Sequence, residues 1–172
     1  EVFIFNDWPH RHHSEAEFNA HVRSFSDATD TAALLRSTPA SQVGTLHYDP
    51  GRPPGIYAGG DVGYRVLNTF RPSDIKPEPG DPGPWLNFLQ QLVLDDFDRL
   101  EVMRWCATLI ARPDVRMAYS MLMISEQQGI GKTTLSDYIL APLVGEANVS
   151  RPTAEDVVES AFNYWSAHVR LA

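Results

Sequence analysis

Residues 119–140 decide the predicted fold, and they read YSMLMISEQQGIGKTTLSDYIL. The run at 118–124 is almost entirely apolar, which is typical of a parallel strand covered on both faces. A turn containing two glycines follows at 129–134. Apolar residues at helical spacing then predict a helix, which Pro142 is expected to end. The stretch therefore predicts a strand, a turn and a helix, in that order.

The predicted turn has the composition of a phosphate-binding loop. Its two glycines allow successive backbone N–H groups to point at phosphate oxygens, and the start of the following helix favours an anion. In such a loop the lysine contacts the β- and γ-phosphates, and the next hydroxyl side chain binds Mg²⁺. Thr133 is therefore the predicted metal ligand. The predicted nucleotide-binding residues are Gln128, Gly129, Ile130, Gly131, Lys132, Thr133 and Thr134.

The match to the pattern G-x-x-x-x-G-K-[ST] is incomplete. Glu126 stands at the position of the first glycine, and Gly129 is additional. A carboxylate at this point would repel phosphate, so we expect Glu126 to face solvent or a protein cation. The alternative is a connection whose glycines only make the turn, which the flanking strand and helix disfavour.

The composition predicts a globular protein without a membrane span. The chain has 172 residues, 43% of them hydrophobic, and a net charge of −8. It contains neither an apolar run of eighteen residues nor a recognisable signal peptide. A single cysteine excludes an internal disulfide and favours the cytoplasm. The negative charge argues against nonspecific binding of polyanions, although twelve of the fourteen basic residues are arginines.

Residues 1–72 predict a small α+β module. Ser14 and Glu17 form a capping-box pattern that opens a helix reaching to about Phe25. We expect strands at 2–5 and 43–48, a loop at 6–13, a helix at 31–36, and a hairpin of residues 56–58 with 64–68.

Residues 73–84 predict a stiff linker, because they contain four prolines and two glycines. Residues 85–172 predict a helical pair followed by the phosphate-binding loop. The pair covers 85–94 and a second helix that Asp95 or Asp96 caps and that runs to about 111. A later helix begins near Thr153, and residues 168–172 are expected to form a parallel strand beside 118–124.

Three other groups of residues and the single cysteine have a structural interpretation beside a functional one. A histidine-rich loop invites a metal site, but a polar loop is favoured because its ligands have only one spacing. An aspartate group fits a solvated helix start as well as a carboxylate cluster. The tryptophans fit core positions better than base stacking, and the cysteine fits a core position. No nucleophile with a base is evident, so no catalytic residue is predicted. The residues are His10, His12 and His13 with Asp7; Asp95, Asp96 and Asp98; Trp85, Trp105 and Trp165; and Cys106.

The order of these segments resembles the helicase-like domain of phage and plasmid primase–polymerases and primase–helicases. These domains are related to superfamily 3 helicases and to AAA+ proteins. The resemblance is carried by HYDPG at 47–51, GYRVLN at 63–68, ARP at 111–113, EQQGIGKTT at 126–134 and FNYW at 162–165. Its most specific element is the loop. The resemblance implies an α/β P-loop NTPase core, with a truncated parallel sheet, preceded by the helical pair and the α+β module.

The resemblance further implies the ATP-binding part of a replicative helicase, with ATP and Mg²⁺ as cofactors. The intact protein would couple ATP hydrolysis to unwinding or translocation on single-stranded or forked DNA, as a homo-oligomer and possibly a hexamer. The resemblance also implies that the protein acts in the cytoplasm of a bacterial or phage-infected cell. In the family, the acidic residues that hold Mg²⁺ lie on the strand after the FNYW segment. We therefore expect the 172 residues to be a fragment that does not hydrolyse ATP efficiently alone.

Two alternatives remain open at this stage. One is a P-loop ATPase that remodels protein or acts as a switch without unwinding DNA. The other is a non-enzymatic interaction module in which the loop is vestigial.

Overall fold

The computed structural model describes residues 2–5, 8–25, 30–38, 42–59, 63–159, 164–167 and 169–172. The chain divides into two compact units, Glu1–Phe70 and Arg71–Ala172. The boundary thus falls two residues before the predicted one, and the proline-rich segment belongs to the second unit. Among the described residues, no helix combines the length and the apolar character needed to cross a membrane.

The first unit contains two small sheets and two helices. β1 pairs antiparallel with β2, and β3, β5 and β4 form a sheet in that order, with β3 parallel and β4 antiparallel to β5. The bounds are β1 Phe3–Phe5, β2 Trp8–His13, α1 Glu15–Val22, α2 Thr31–Arg36, β3 Thr45–His47, β4 Gly55–Ala58 and β5 Arg65–Asn68.

Local signals in this unit are largely confirmed. Ser14 and Glu17 form both hydrogen bonds of the capping box, and α2 and the β4–β5 hairpin lie where they were expected. The prediction of a loop at 6–13 was wrong, because β2 covers residues 8–13 and pairs with β1. A pairing partner decides a strand, and neither the histidines nor the proline of this segment indicate one.

The histidine group divides between described and undescribed side chains. Asp7 and the side chain of His10 lie outside the described residues. His13 is buried and its Nε2 atom has no hydrogen-bond partner among the described residues, whereas His12 is exposed. Within the described ranges, no group of three His, Cys, Asp or Glu side chains is placed to hold a metal ion.

The second unit is built on two helices and a later helical run. A short connection joins α3 to α4. Asp95 caps the start of α4, because its side chain accepts a hydrogen bond from the Asp98 N–H at 2.9 Å. The bounds are α3 Gly83–Leu92, α4 Asp96–Ala111, a π-helix Thr134–Leu140, α5 Ala141–Val144, α6 Ala154–Glu159, and 3-10 turns at Glu146–Asn148 and Tyr164–Ser166. The fully buried side chains Leu89, Leu109 and Leu135 bring α3, α4 and the π-helix into one core.

Arg170 fastens the end of α4. Its guanidinium donates to the carbonyl oxygens of Val115 at 2.6 Å and Arg112 at 3.0 Å, with longer contacts to two carbonyls of the last helical turn. The final carbonyls of a helix have no partner within the helix, and a cation there also opposes the negative end of the helix dipole. The side chain therefore holds the segment after α4 against the core.

Residues 118–124 do not form the predicted strand. They have no regular secondary structure, no described strand pairs with them, and burial alternates only over residues 121–124. Met121 and Met123 pack against the core, whereas Leu122 and Ile124 are 82% and 84% exposed. A strand needs a partner for its backbone groups, and an apolar run does not supply one. The described part of the second unit consequently contains no parallel sheet.

Two other expectations for this unit were also wrong. Leu171 forms a parallel bridge with Val149 and not with residues 118–124, and His168 lies outside the described residues. Pro142 does not end the helix, which continues to Val144. Proline is tolerated in the first turn of a helical segment, and Pro142 is the second residue of α5, directly after the π-helix.

Candidate functional site

The two glycines of the loop adopt the backbone conformation that its turn requires. Gly129 has a φ of +77° and Gly131 a φ of +108°. Residues with a Cβ rarely adopt such backbone angles. The helical run begins at Lys132, and the Leu135 N–H donates to the Gly131 carbonyl at 2.9 Å. The loop therefore delivers Lys132 to the first turn of a helix, as the sequence predicts.

The Lys132 side chain is hydrogen-bonded to the residue just before the loop. Its Nζ donates to Ser125 Oγ at 2.7 Å, and Ser125 Oγ donates to the Gln127 carbonyl at 2.6 Å. The side chain is half-buried, and no acidic residue in the described ranges forms an ion pair with it. A partly desolvated ammonium without a counter-ion favours the binding of an anion.

A groove of about 420 Å³ leads to Lys132. One wall comes from α4 and the other from residues 119–124, and the side chains combine carboxylates with apolar groups. Its volume lies within the range of ordinary small-molecule sites, so it has room for a ligand larger than phosphate. The α4 wall includes Asp98, Glu101, Val102 and Trp105, and Ile130 lies beside Lys132.

The predicted ligands differ in their exposure. Gln128, Gly129, Thr133 and Thr134 are exposed, whereas Ile130, Gly131 and Lys132 are half-buried. Ile130 packs against the core and anchors the middle of the loop. Thr133, the predicted metal ligand, is an exposed residue. All seven residues are consecutive, so the loop brings them together by itself.

Glu126 is exposed and makes no ion pair with any described cation. Solvent can therefore screen its charge. Arg151, which follows the helical run in the sequence, pairs with Glu146 at 3.1 Å and with Asp137 at 3.3 Å. Hydrogen bonds to Glu146 are the main cause that raises the pKa of Arg151.

Most of the remaining candidate residues of the second unit have structural roles, whereas Asp98 lines the groove. Asp95 caps α4, and Asp96 pairs with Arg99. Trp105 is buried in the core, where its indole N–H has no partner among the described residues, and Trp85 packs against the same core. Burial raises the pKa of the Cys106 thiol to about 11, so this thiol stays protonated at neutral pH.

Two residues of the site were not anticipated from the sequence. Ser125 precedes the loop and bonds to Lys132, and Phe88 of α3 lies beside Gly131. A hydroxyl seven residues before the lysine carries no recognisable pattern, since only the folded turn brings the two together. Phe88 belongs to the apolar stripe of α3, but the stripe does not indicate what it packs against.

Comparison of the chain with models of protein families, with curated proteins and with solved structures gives no match.

Proposed function

We propose that residues 128–134 bind the triphosphate of ATP, with Mg²⁺ at Thr133. The observation that carries this proposal is the half-buried Lys132 ammonium, which has no counter-ion among the described residues and follows two glycines with positive φ. Phosphate oxygens would supply the missing negative charge through charge-assisted hydrogen bonds.

The loop also offers neutral donors for phosphate. Between Gln128 and Thr133 the backbone turns at two glycines, and no described side chain lies within 4 Å of the space beside Gly129. A phosphate can approach such a backbone closely, because no Cβ stands in the way. Gln128, Ile130 and Thr134 would contribute through their position in the loop, and the groove would hold the rest of the nucleotide.

The protein class is the second part of the proposal. We infer a P-loop NTPase of the helicase or primase–helicase type, which couples ATP hydrolysis to unwinding of or translocation on DNA in the intact, oligomeric protein, within the cytoplasm of a bacterial or phage-infected cell. Support for this class comes from the loop and from the order of the segments around it. The described residues of the second unit contain no parallel sheet. The inference of an NTPase core therefore depends on the loop.

Calorimetric titration with ATP and Mg²⁺ tests the site. Lys132→Ala should weaken binding by about 10- to 100-fold, because hydrogen bonds to charged groups contribute about 1.5–3 kcal/mol. The matched control is Lys76→Ala, which removes the only other lysine, an exposed residue of the proline-rich segment. Equal affinities of the wild type and Lys132→Ala would refute the assignment.

Turnover tests the class. The intact protein should hydrolyse ATP faster when single-stranded or forked DNA is added, and Lys132→Ala in the intact protein should remove this increase. ATP binding without any stimulation by DNA, in a protein that does hydrolyse ATP, would favour a switch or remodelling ATPase instead.

A further inference from the structure

We propose that Ser125 is a positioning residue that fixes the Lys132 ammonium for phosphate binding. Its Oγ accepts from Lys132 Nζ at 2.7 Å and donates to the Gln127 carbonyl at 2.6 Å. These two bonds link the residue before the loop, the loop itself and the start of the helical run. Because this role rests on the proposed function, the experiments below separate the two.

The direction of each hydrogen bond explains how Ser125 acts. A lysine ammonium can only donate, so the serine oxygen must accept from it. The serine proton is then available for the Gln127 carbonyl, which turns the oxygen lone pairs towards Lys132. The ammonium uses one of its three N–H groups in this contact, and the other two remain for phosphate oxygens.

Because the Ser125 hydroxyl is neutral, we expect it to strengthen phosphate binding and not to weaken it. A carboxylate at position 125 would compete with phosphate for the ammonium, whereas a hydroxyl leaves its charge uncompensated. The long lysine side chain is ordered before the ligand arrives, so binding loses less side-chain entropy. Ser125 should therefore strengthen phosphate binding and not act as a latch that opposes it.

The first experiment observes Lys132 without any ligand. Lys76 and Lys132 are the only lysines, so protein labelled with [¹⁵N]lysine gives two side-chain ammonium signals. The Lys132 signal should show slower proton exchange with water than that of exposed Lys76. Ser125→Ala should raise the Lys132 rate towards that of Lys76, and Ser125→Thr should preserve the slow rate. An unchanged Lys132 rate in Ser125→Ala would overturn the proposal.

The second experiment measures ATP affinity by calorimetry in five proteins: wild type, Ser125→Ala, Ser125→Thr, Lys132→Ala and the double variant Ser125→Ala/Lys132→Ala. Ser125→Ala should weaken binding by about fivefold or more, and Ser125→Thr should restore it. In the Lys132→Ala background, the Ser125 substitution should have no further effect, because its role acts through the ammonium.

The outcomes distinguish this role from the phosphate site. If Lys132→Ala loses ATP while Ser125→Ala binds as tightly as the wild type or more tightly, the positioning role is refuted and the phosphate site stands. If Ser125→Ala weakens ATP equally in both backgrounds, its effect does not pass through Lys132, which also refutes the role. If the wild type and Lys132→Ala bind equally, the proposed function fails and the role in phosphate binding fails with it.

Discussion

Replacement of Gly131 by alanine tests the geometry of the loop against a control two residues away. A Cβ at Gly131 would lie 3.0 Å from Phe88 Cε2 and 3.4 Å from Phe88 Cζ, on a backbone with a φ of +108°. A Cβ at Gly129, with a φ of +77°, would meet no atom within 4 Å. Both substitutions strain the backbone, but only the first also crowds the core.

Backbone strain and crowding together give the expected losses in the free energy of unfolding. A positive φ costs an alanine about 1–2 kcal/mol. The contact with the ring edge adds about 1–3 kcal/mol, the usual range for overpacking. Gly129→Ala should therefore lower the free energy of unfolding by about 1–2 kcal/mol and Gly131→Ala by about 2–5 kcal/mol.

Urea unfolding followed by tryptophan fluorescence measures both losses. A Trp8→Phe background leaves only tryptophans 85, 105 and 165, so the signal comes from the second unit. In a Phe88→Leu background the ring edge is gone, and the difference between the two glycine variants should shrink. Equal losses from the two single variants, or a larger loss from Gly129→Ala, would refute the reasoning.

Three further predictions concern the rest of the molecule. Arg170→Ala should lower the free energy of unfolding of the second unit by about 2–3 kcal/mol in urea, because charge-assisted bonds to the carbonyls after α4 are lost, and Arg170→Lys should recover only part of it. Cys106 should react with iodoacetamide at pH 8 at least about tenfold faster in urea-unfolded protein than in native protein, because burial raises the pKa of its thiol. Mass spectrometry measures the rates, and a fast reaction in the native state would contradict the burial of the thiol. Hydrogen bonds from the Ala33 N–H and then from Asn19 lower the pKa of Asp30, so its contribution to stability is complete above about pH 3.9 and is lost as the pH falls below that value. Asp30→Asn should flatten the acid dependence of unfolding in this range, and an unaltered slope would exclude Asp30 as a source.

Signals that act within a few residues could be predicted from the sequence. Ser14 and Asp95 cap their helices because a cap needs only a short side chain and the next turn of backbone. The positive φ values at Gly129 and Gly131 are local in the same way. These features are decided by residues that are neighbours along the chain.

Signals that depend on a distant partner could not be predicted. The apolar run at 118–124 matches a buried strand in composition, yet pairing depends on a second segment, which periodicity does not supply. The same reason explains why β2 was expected to be a loop. The contact between Ser125 and Lys132 is likewise tertiary, since the turn must form before the hydroxyl meets the ammonium.

The unpaired segment at 118–124 affects the behaviour of the protein in concentrated solution. It is uncharged, it exposes Leu122 and Ile124, and no described strand occupies its edge. Exposed apolar segments without a pairing partner promote self-association, and no charged residue within this segment opposes it. The net charge of −8 supplies a repulsion between molecules that opposes such contacts. Added salt screens this repulsion, so solubility should be greatest at low ionic strength.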